Sequence, residues 1–154
     1  RQLADDTEGR FGGIGVEMAR LCNGIGMRVI AWNRSPRAIP GVEFVPLERL
    51  LAESDVVSLH LLLSDGTRGF LSAERIAQMK PGAILVNTAR GAIVDEDAMT
   101  AALRSGRLGH AALDVYGVEP LPADSPLRGL RNATLAPHAA FRTPEASDNL
   151  MEAA

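Results

Sequence analysis

The chain has 154 residues, a formal net charge of −3, 46% hydrophobic and 23% charged side chains, which is the balance of one ordinary globular domain with a sizeable core. It holds no basic block of five or more residues to attract nucleic acid or an anionic membrane, and its longest apolar runs, such as Val56 to Leu63, are too short and interrupted to span a bilayer. With the single cysteine Cys22 no intramolecular disulfide can form, so the expectation is a protein of the reducing cytoplasm with no cleavable signal.

The opening segment Ala4-Asp5-Asp6-Thr7-Glu8-Gly9 is too acidic for the buried first strand of a parallel sheet, so that strand reads as degenerate. Gly12-Gly13-Ile14-Gly15 looks like the end of a dinucleotide fingerprint, in which glycines admit the pyrophosphate to the backbone and a helix amino terminus attracts its charge. Arg10 occupies the first glycine position of Gly-x-Gly-x-x-Gly, so the fingerprint is degenerate too, and a glycine-rich turn that merely starts a helix is the alternative. Ile14 to Asn23 has helical spacing, with Cys22 among Ile14, Met18, Leu21 and Ile25 on one apolar face expected to be buried. Met27 to Trp32 is the next strand. After it a dinucleotide domain places an acid on the adenosine ribose, whereas this chain has Asn33-Arg34-Ser35. Arg34 with Ser35 can pair with a 2′-phosphate, which leans the cofactor from NAD towards NADP; a solvated turn before Pro36 is the other reading.

Val42 to Val45 is a short strand, Leu47 to about Glu53 a helix, and Val56 to Leu61 a strand. Ser72 is placed to cap a helix that stops at Pro81-Gly82. Ala83 to Val86 is a buried strand, followed at once by the polar Asn87-Thr88-Ala89-Arg90-Gly91. A guanidinium at a strand's carboxyl end suits bidentate capture of a carboxylate or phosphate, or else caps a helix or pairs with a surface acid. Asp95 caps a helix ending near Gly106, Gly109 to Leu113 is a strand leading to Asp114 and Glu119-Pro120, Pro120 to Pro126 is a loop, and the strand Ala133 to Ala136 leads to Pro137-His138. The alternation predicts an α/β fold with a doubly wound parallel sheet, one dinucleotide-binding domain over residues 1–154.

Arg90, Glu119 and His138 thus each follow an apolar strand. The motifs Asn87-Thr88-Ala89-Arg90-Gly91, Asp114-Val115-Tyr116-Gly117-Val118-Glu119-Pro120 and Pro137-His138 make the chain resemble the D-isomer-specific 2-hydroxyacid dehydrogenases, glyoxylate and hydroxypyruvate reductases among them, from about Gly12 to about Glu145. The resemblance implies reversible reduction of a 2-oxo acid to a D-2-hydroxy acid with NAD or NADP. Arg90 would hold the substrate carboxylate, His138 would move the hydroxyl proton, and Glu119 would orient His138. It also implies cofactor contacts from Thr88, Ala89, Asp114, the surroundings of His138, the turn at Leu59-His60-Leu61, and Thr67. His60 and His110 read as structural or cofactor-adjacent. Leu62 stands where the family commonly has proline and Phe141 where it commonly has glycine, while Glu119 argues against the formate dehydrogenase branch, which uses glutamine there. No metal is expected, since one cysteine and three scattered histidines lack ligand spacing.

The resemblance leads to the expectation that the family's second, substrate-binding domain is largely absent from this chain. Three readings follow: the cofactor domain of an oxidoreductase, a nucleotide-binding or dimerising module without turnover, and an inactive truncated fragment. The expected partner is a small 2-oxo or 2-hydroxy acid, with association into a homodimer and little turnover by the chain alone, because its degenerate first strand weakens the centre of the sheet and the cleft has one wall.

Overall fold

Short runs of valine, leucine and isoleucine alternate with amphipathic stretches, and these apolar runs become the strands of a sheet, deeply buried at its centre and partly buried at its edges. The computed structural model describes residues 2–5, 13–35 and 38–142, with the backbone alone for 2–5. Its elements are β1 (Gln2–Asp5), α1 (Gly13–Gly24), β2 (Val29–Trp32), β3 (Val42–Phe44), α2 (Leu47–Glu53), β4 (Val56–Leu61), α3 (Ala73–Gln78), β5 (Ala83–Asn87), α4 (Glu96–Arg104), β6 (Leu108–Leu113) and β7 (Ala133–Leu135). The seven strands form one sheet in the order β3-β2-β1-β4-β5-β6-β7, and every adjacent pair is parallel. This is the doubly wound topology, which reverses direction between β1 and β4.

Alternating residues of β2 show how the layers divide. Ile30 joins a large core with Leu50, Leu51, Val57 and Leu59, whereas Val29 and Ala31 pack on Ala19 of α1. Successive strand side chains point to opposite faces, so α1 covers one face while α2, α3 and α4, packed side by side, cover the other. Leu50, Leu51, Val57, Leu59 and Leu85 are fully buried, each burial stabilising by about 1.5–3 kcal/mol. These contacts hold every strand's carboxyl end at one rim.

Three expectations are corrected. The first strand is present: Gln2–Asp5 pairs with β2 through Gln2 and Leu3 and with β4 through all four residues. The strand lies upstream of most of the acidic stretch and ends at Asp5, on the rim rather than in the middle of the sheet; Arg10 and Gly12 lie outside the described residues. The apolar stripe of α1 does not face the core, since Ile14, Met18, Leu21 and Ile25 are exposed. The helix packs instead through Gly15, Ala19 and the half-buried Cys22, small residues that let it approach the sheet closely. Ser72 occupies the amino-terminal position of α3 without capping it, because its hydroxyl donates to Glu74 at 2.6 Å. Asp95 does cap α4, accepting from the Ala98 N–H at 3.0 Å.

Candidate active site

The rim at the β1–β4 reversal, where α1 begins, carries a cavity of about 240 Å³ lined by Gly13, Ile14 and Gly15, by residues 59–62, and by Thr88, Ala89 and Arg90. Backbone N–H groups of a helix's first turn and the positive end of its dipole suit a pyrophosphate. His60 lies on the wall, sharing a 2.9 Å hydrogen bond between its Nε2 and Ser58 Oγ. Burial pushes its pKa down to about 4, so near neutral pH it brings a dipole and no charge. Leu61 lines the same cavity, as does Leu62, one of the departures from the family pattern. Thr67 is not brought there: buried, it accepts from the Ser64 N–H at 2.7 Å and donates to the Leu62 carbonyl at 2.6 Å, shaping the turn after β4.

At the exit of β2, Asn33 is 4% exposed and its Oδ1 is buried without a hydrogen-bond partner among the described residues. It lines a hollow of about 320 Å³ with Trp32, Phe44, Val45 and Pro46, and Arg34 and Ser35 are exposed beside it. An orphaned buried carbonyl costs about 1–3 kcal/mol, and a ribose hydroxyl or an adenine amino group would supply the missing donor. The residues present therefore fit a dinucleotide at both the pyrophosphate and the adenosine end.

The remaining groups come from three turns. Asn87, 1% exposed, braces the first by accepting from the Ala89 N–H and donating to the Arg90 carbonyl, both at 3.0 Å. Arg90 itself is exposed, its guanidinium donating to the Ala89 carbonyl at 2.6 Å. Gly91 lies so close to the next turn that a Cβ there would sit 2.0 Å from the Tyr116 carbonyl carbon; an alanine would force the two turns apart. In the second turn Glu119 accepts from the Tyr116 N–H at 2.9 Å and from His138 Nδ1 at 2.6 Å. The His138 hydrogen bond, followed by the Tyr116 N–H, holds the Glu119 carboxyl below its usual range, and the nearby Arg90 charge adds to the effect. An ionised carboxylate only accepts, so the proton sits on His138 Nδ1 and Nε2 is left for a ligand.

His138, in the third turn, has a left-handed backbone with φ of 51°. Asp114 secures that conformation: its two oxygens accept from the Ala139 and Ala140 N–H groups, each at 2.9 Å. Phe141 stands edge-on to the imidazole with ring centroids 6.1 Å apart. Arg90, Glu119 and His138 are thus gathered at one rim with Thr88, Ala89 and Asp114. Asn87, Gly91 and Tyr116 escaped the reading of the sequence as site residues, although a glycine directly after the arginine was a signal for close backbone approach. Among the described residues, no group of three or more histidine, cysteine, aspartate or glutamate side chains could hold a metal ion, and no helix is long and apolar enough to cross a membrane.

Residues 10–140 match the family described as D-isomer specific 2-hydroxyacid dehydrogenase, NAD binding domain. The glyoxylate reductase of Korarchaeum cryptofilum is 45% identical over 146 residues, covering 92% of this chain and 44% of that protein. A D-isomer specific 2-hydroxyacid dehydrogenase from Xanthobacter autotrophicus Py2, solved with NADPH and MES, superposes with a TM-score of 0.83 at 40% identity, over 89% of this chain and 43% of that one. D-lactate dehydrogenase from Lactobacillus jensenii with NAD+ gives a TM-score of 0.87 at 28% identity, over 98% of this chain and 48% of that one. The chain spans less than half the length of each.

Proposed function

Because this chain belongs to the D-isomer-specific 2-hydroxyacid dehydrogenase family and forms its NAD-binding domain, we propose that it serves an oxidoreductase interconverting small 2-oxo acids and D-2-hydroxy acids. The 2.6 Å bond from His138 Nδ1 to Glu119, on the same rim as the exposed Arg90, carries this reading. When bound, the dinucleotide supplies or accepts the hydride. Arg90 offers a planar fork to the substrate carboxylate, whose paired oxygens it matches in two parallel hydrogen bonds. His138 Nε2 gives a proton to the carbonyl oxygen in reduction and takes it from the hydroxyl in oxidation. Glu119, held by the Tyr116 N–H, keeps the imidazole turned with Nε2 free for the substrate.

The reading extends to a preference for NADP over NAD. No carboxylate at residues 33–35 would repel a 2′-phosphate, and Arg34 and Ser35 are exposed beside the Asn33 hollow. The NADPH-bound Xanthobacter relative supports that preference, although the Lactobacillus relative carries NAD+. A second copy docking on the exposed Ile14, Leu21 and Ile25 of α1, and a cytoplasmic setting for the lone Cys22, complete the proposal.

A graft tests it. Placed in the Korarchaeum glyoxylate reductase in exchange for the matching segment, the chain is expected to support glyoxylate or hydroxypyruvate reduction. The same graft with His138→Ala is expected to lose about a hundredfold or more in kcat/KM. A graft that folds and binds dinucleotide but reduces no 2-oxo acid would overturn the reading in favour of a binding module.

A further inference from the structure

Arg90, Glu119 and His138 arrive on three separate turns, and a shift of about 1 Å in any of them would spoil their joint geometry. Tyr116 touches all three turns. Its N–H donates to Glu119 Oε1 at 2.9 Å, and its hydroxyl donates to the Ala136 carbonyl at 2.7 Å, with the Leu113 carbonyl at 3.2 Å. Ala136 lies two residues before His138. The Tyr116 carbonyl is the group that Gly91, directly after Arg90, is pressed against. The following N–H, that of Gly117, donates to Glu96 Oε2 at 3.1 Å and so pins the segment to the start of α4.

We propose that Tyr116 is the positioning residue of this site, its hydroxyl tying the His138 turn to the Glu119 turn while its backbone spaces both from Arg90. This rests on the reading of Glu119 and His138 as a working pair. The side chain suits that role. It is 8% exposed, so its rotamer is set by packing, and among the described residues its hydroxyl reaches the Ala136 and Leu113 carbonyls. Burial, with the Asp114 charge second, pushes the phenol above its ordinary value, so it remains a donor wherever the protein works. A rigid ring with one donor at its tip reaches the chain ends leaving β6 and β7 without the conformational freedom of a longer side chain.

The test follows the Glu119 carboxyl by carbon NMR through a pH titration of the full chain, as wild type, as Tyr116→Phe and as His138→Gln. Among the described residues, His138 and Arg90 are the basic groups that face that carboxyl, and Tyr116→Phe changes neither. Tyr116→Phe is expected to keep the wild-type amide spectrum away from residues 113–119 and 136–140, and to raise the carboxyl midpoint by about half a pH unit, because the pair loosens. His138→Gln is expected to raise it further. A Tyr116→Phe midpoint that overlays the wild type, while His138→Gln raises it, overturns the positioning role and leaves the pair standing. No rise in His138→Gln overturns the pair itself. As Tyr116 is the only tyrosine, 3-fluorotyrosine labelling gives a second readout in the otherwise unaltered chain: its fluorine signal is expected to titrate with the Glu119 midpoint, and a signal flat through that range overturns the proposal.

Discussion

Arg90 and His138 make opposite demands on the backbone that carries them. Arg90 is extended and exposed, and Asn87 braces its turn with two hydrogen bonds; His138 is left-handed and depends on Asp114. The strain of a left-handed histidine, about 1–3 kcal/mol, persists only where neighbours over-determine it. His60 shows the cost of a half-buried imidazole. Its folded pKa of about 4 lies below the unfolded value, so as pH falls below about 6.5 the unfolded chain takes up a proton that the folded chain refuses. Stability is expected to fall by roughly 2–3 kcal/mol between pH 6.5 and pH 4 on this account, and His60→Asn should flatten that part of the profile. Urea midpoints across the interval check it; parallel profiles for the two proteins would remove His60 as the cause. That Arg90, Glu119 and His138 arrive at one rim was legible because each follows its own apolar strand. Tyr116 was not, since its contacts depend on how β6 and β7 pair, which no spacing within the motif reveals.

The helices differ in how they begin. α4 has an aspartate whose side chain caps the Ala98 N–H, whereas α3 has a serine whose hydroxyl is taken by Glu74. Losing a working cap costs about 1 kcal/mol. Asp95→Ala is therefore expected to lower the unfolding free energy by about that amount and Ser72→Ala by much less; equal losses would contradict the assignment. Both residues have the right type one position before a helix, so the sequence alone could not separate them. β3 is an edge strand of three residues, guarded by Glu43, which accepts from Arg28 and from Arg49 at 2.7 Å each. Charge on a short edge discourages pairing with another chain. The apolar stripe of α1 misled for a related reason: helical spacing identifies a face but not what lies against it, and Gly15 and Ala19 won the sheet by being small.

Across the whole molecule, the sheet order delivers the site. Strands β1 to β3 run outward one way from the reversal and β4 to β7 the other, so the cavity at α1, the Asn33 hollow and the side chains of Arg90, Glu119 and His138 share the carboxyl rim. Alternating apolar runs made that architecture readable. The described strand, Gln2–Asp5, takes in Ala4 and Asp5 of the acidic segment, so composition over residues 4–9 does not report on it. The central claim, that this rim binds a dinucleotide with its adenosine end at Asn33, can be tested through Trp32, the only tryptophan, which lines the Asn33 hollow and stacks on Phe70 at 5.2 Å. The decisive measurement is energy transfer from Trp32 to the reduced nicotinamide as NADPH and NADH are titrated into the chain. Saturable transfer below about 1 mM, tighter for NADPH and competed by adenosine 2′,5′-bisphosphate, is the expected result. A folded chain showing no saturable transfer with either dinucleotide would contradict the claim.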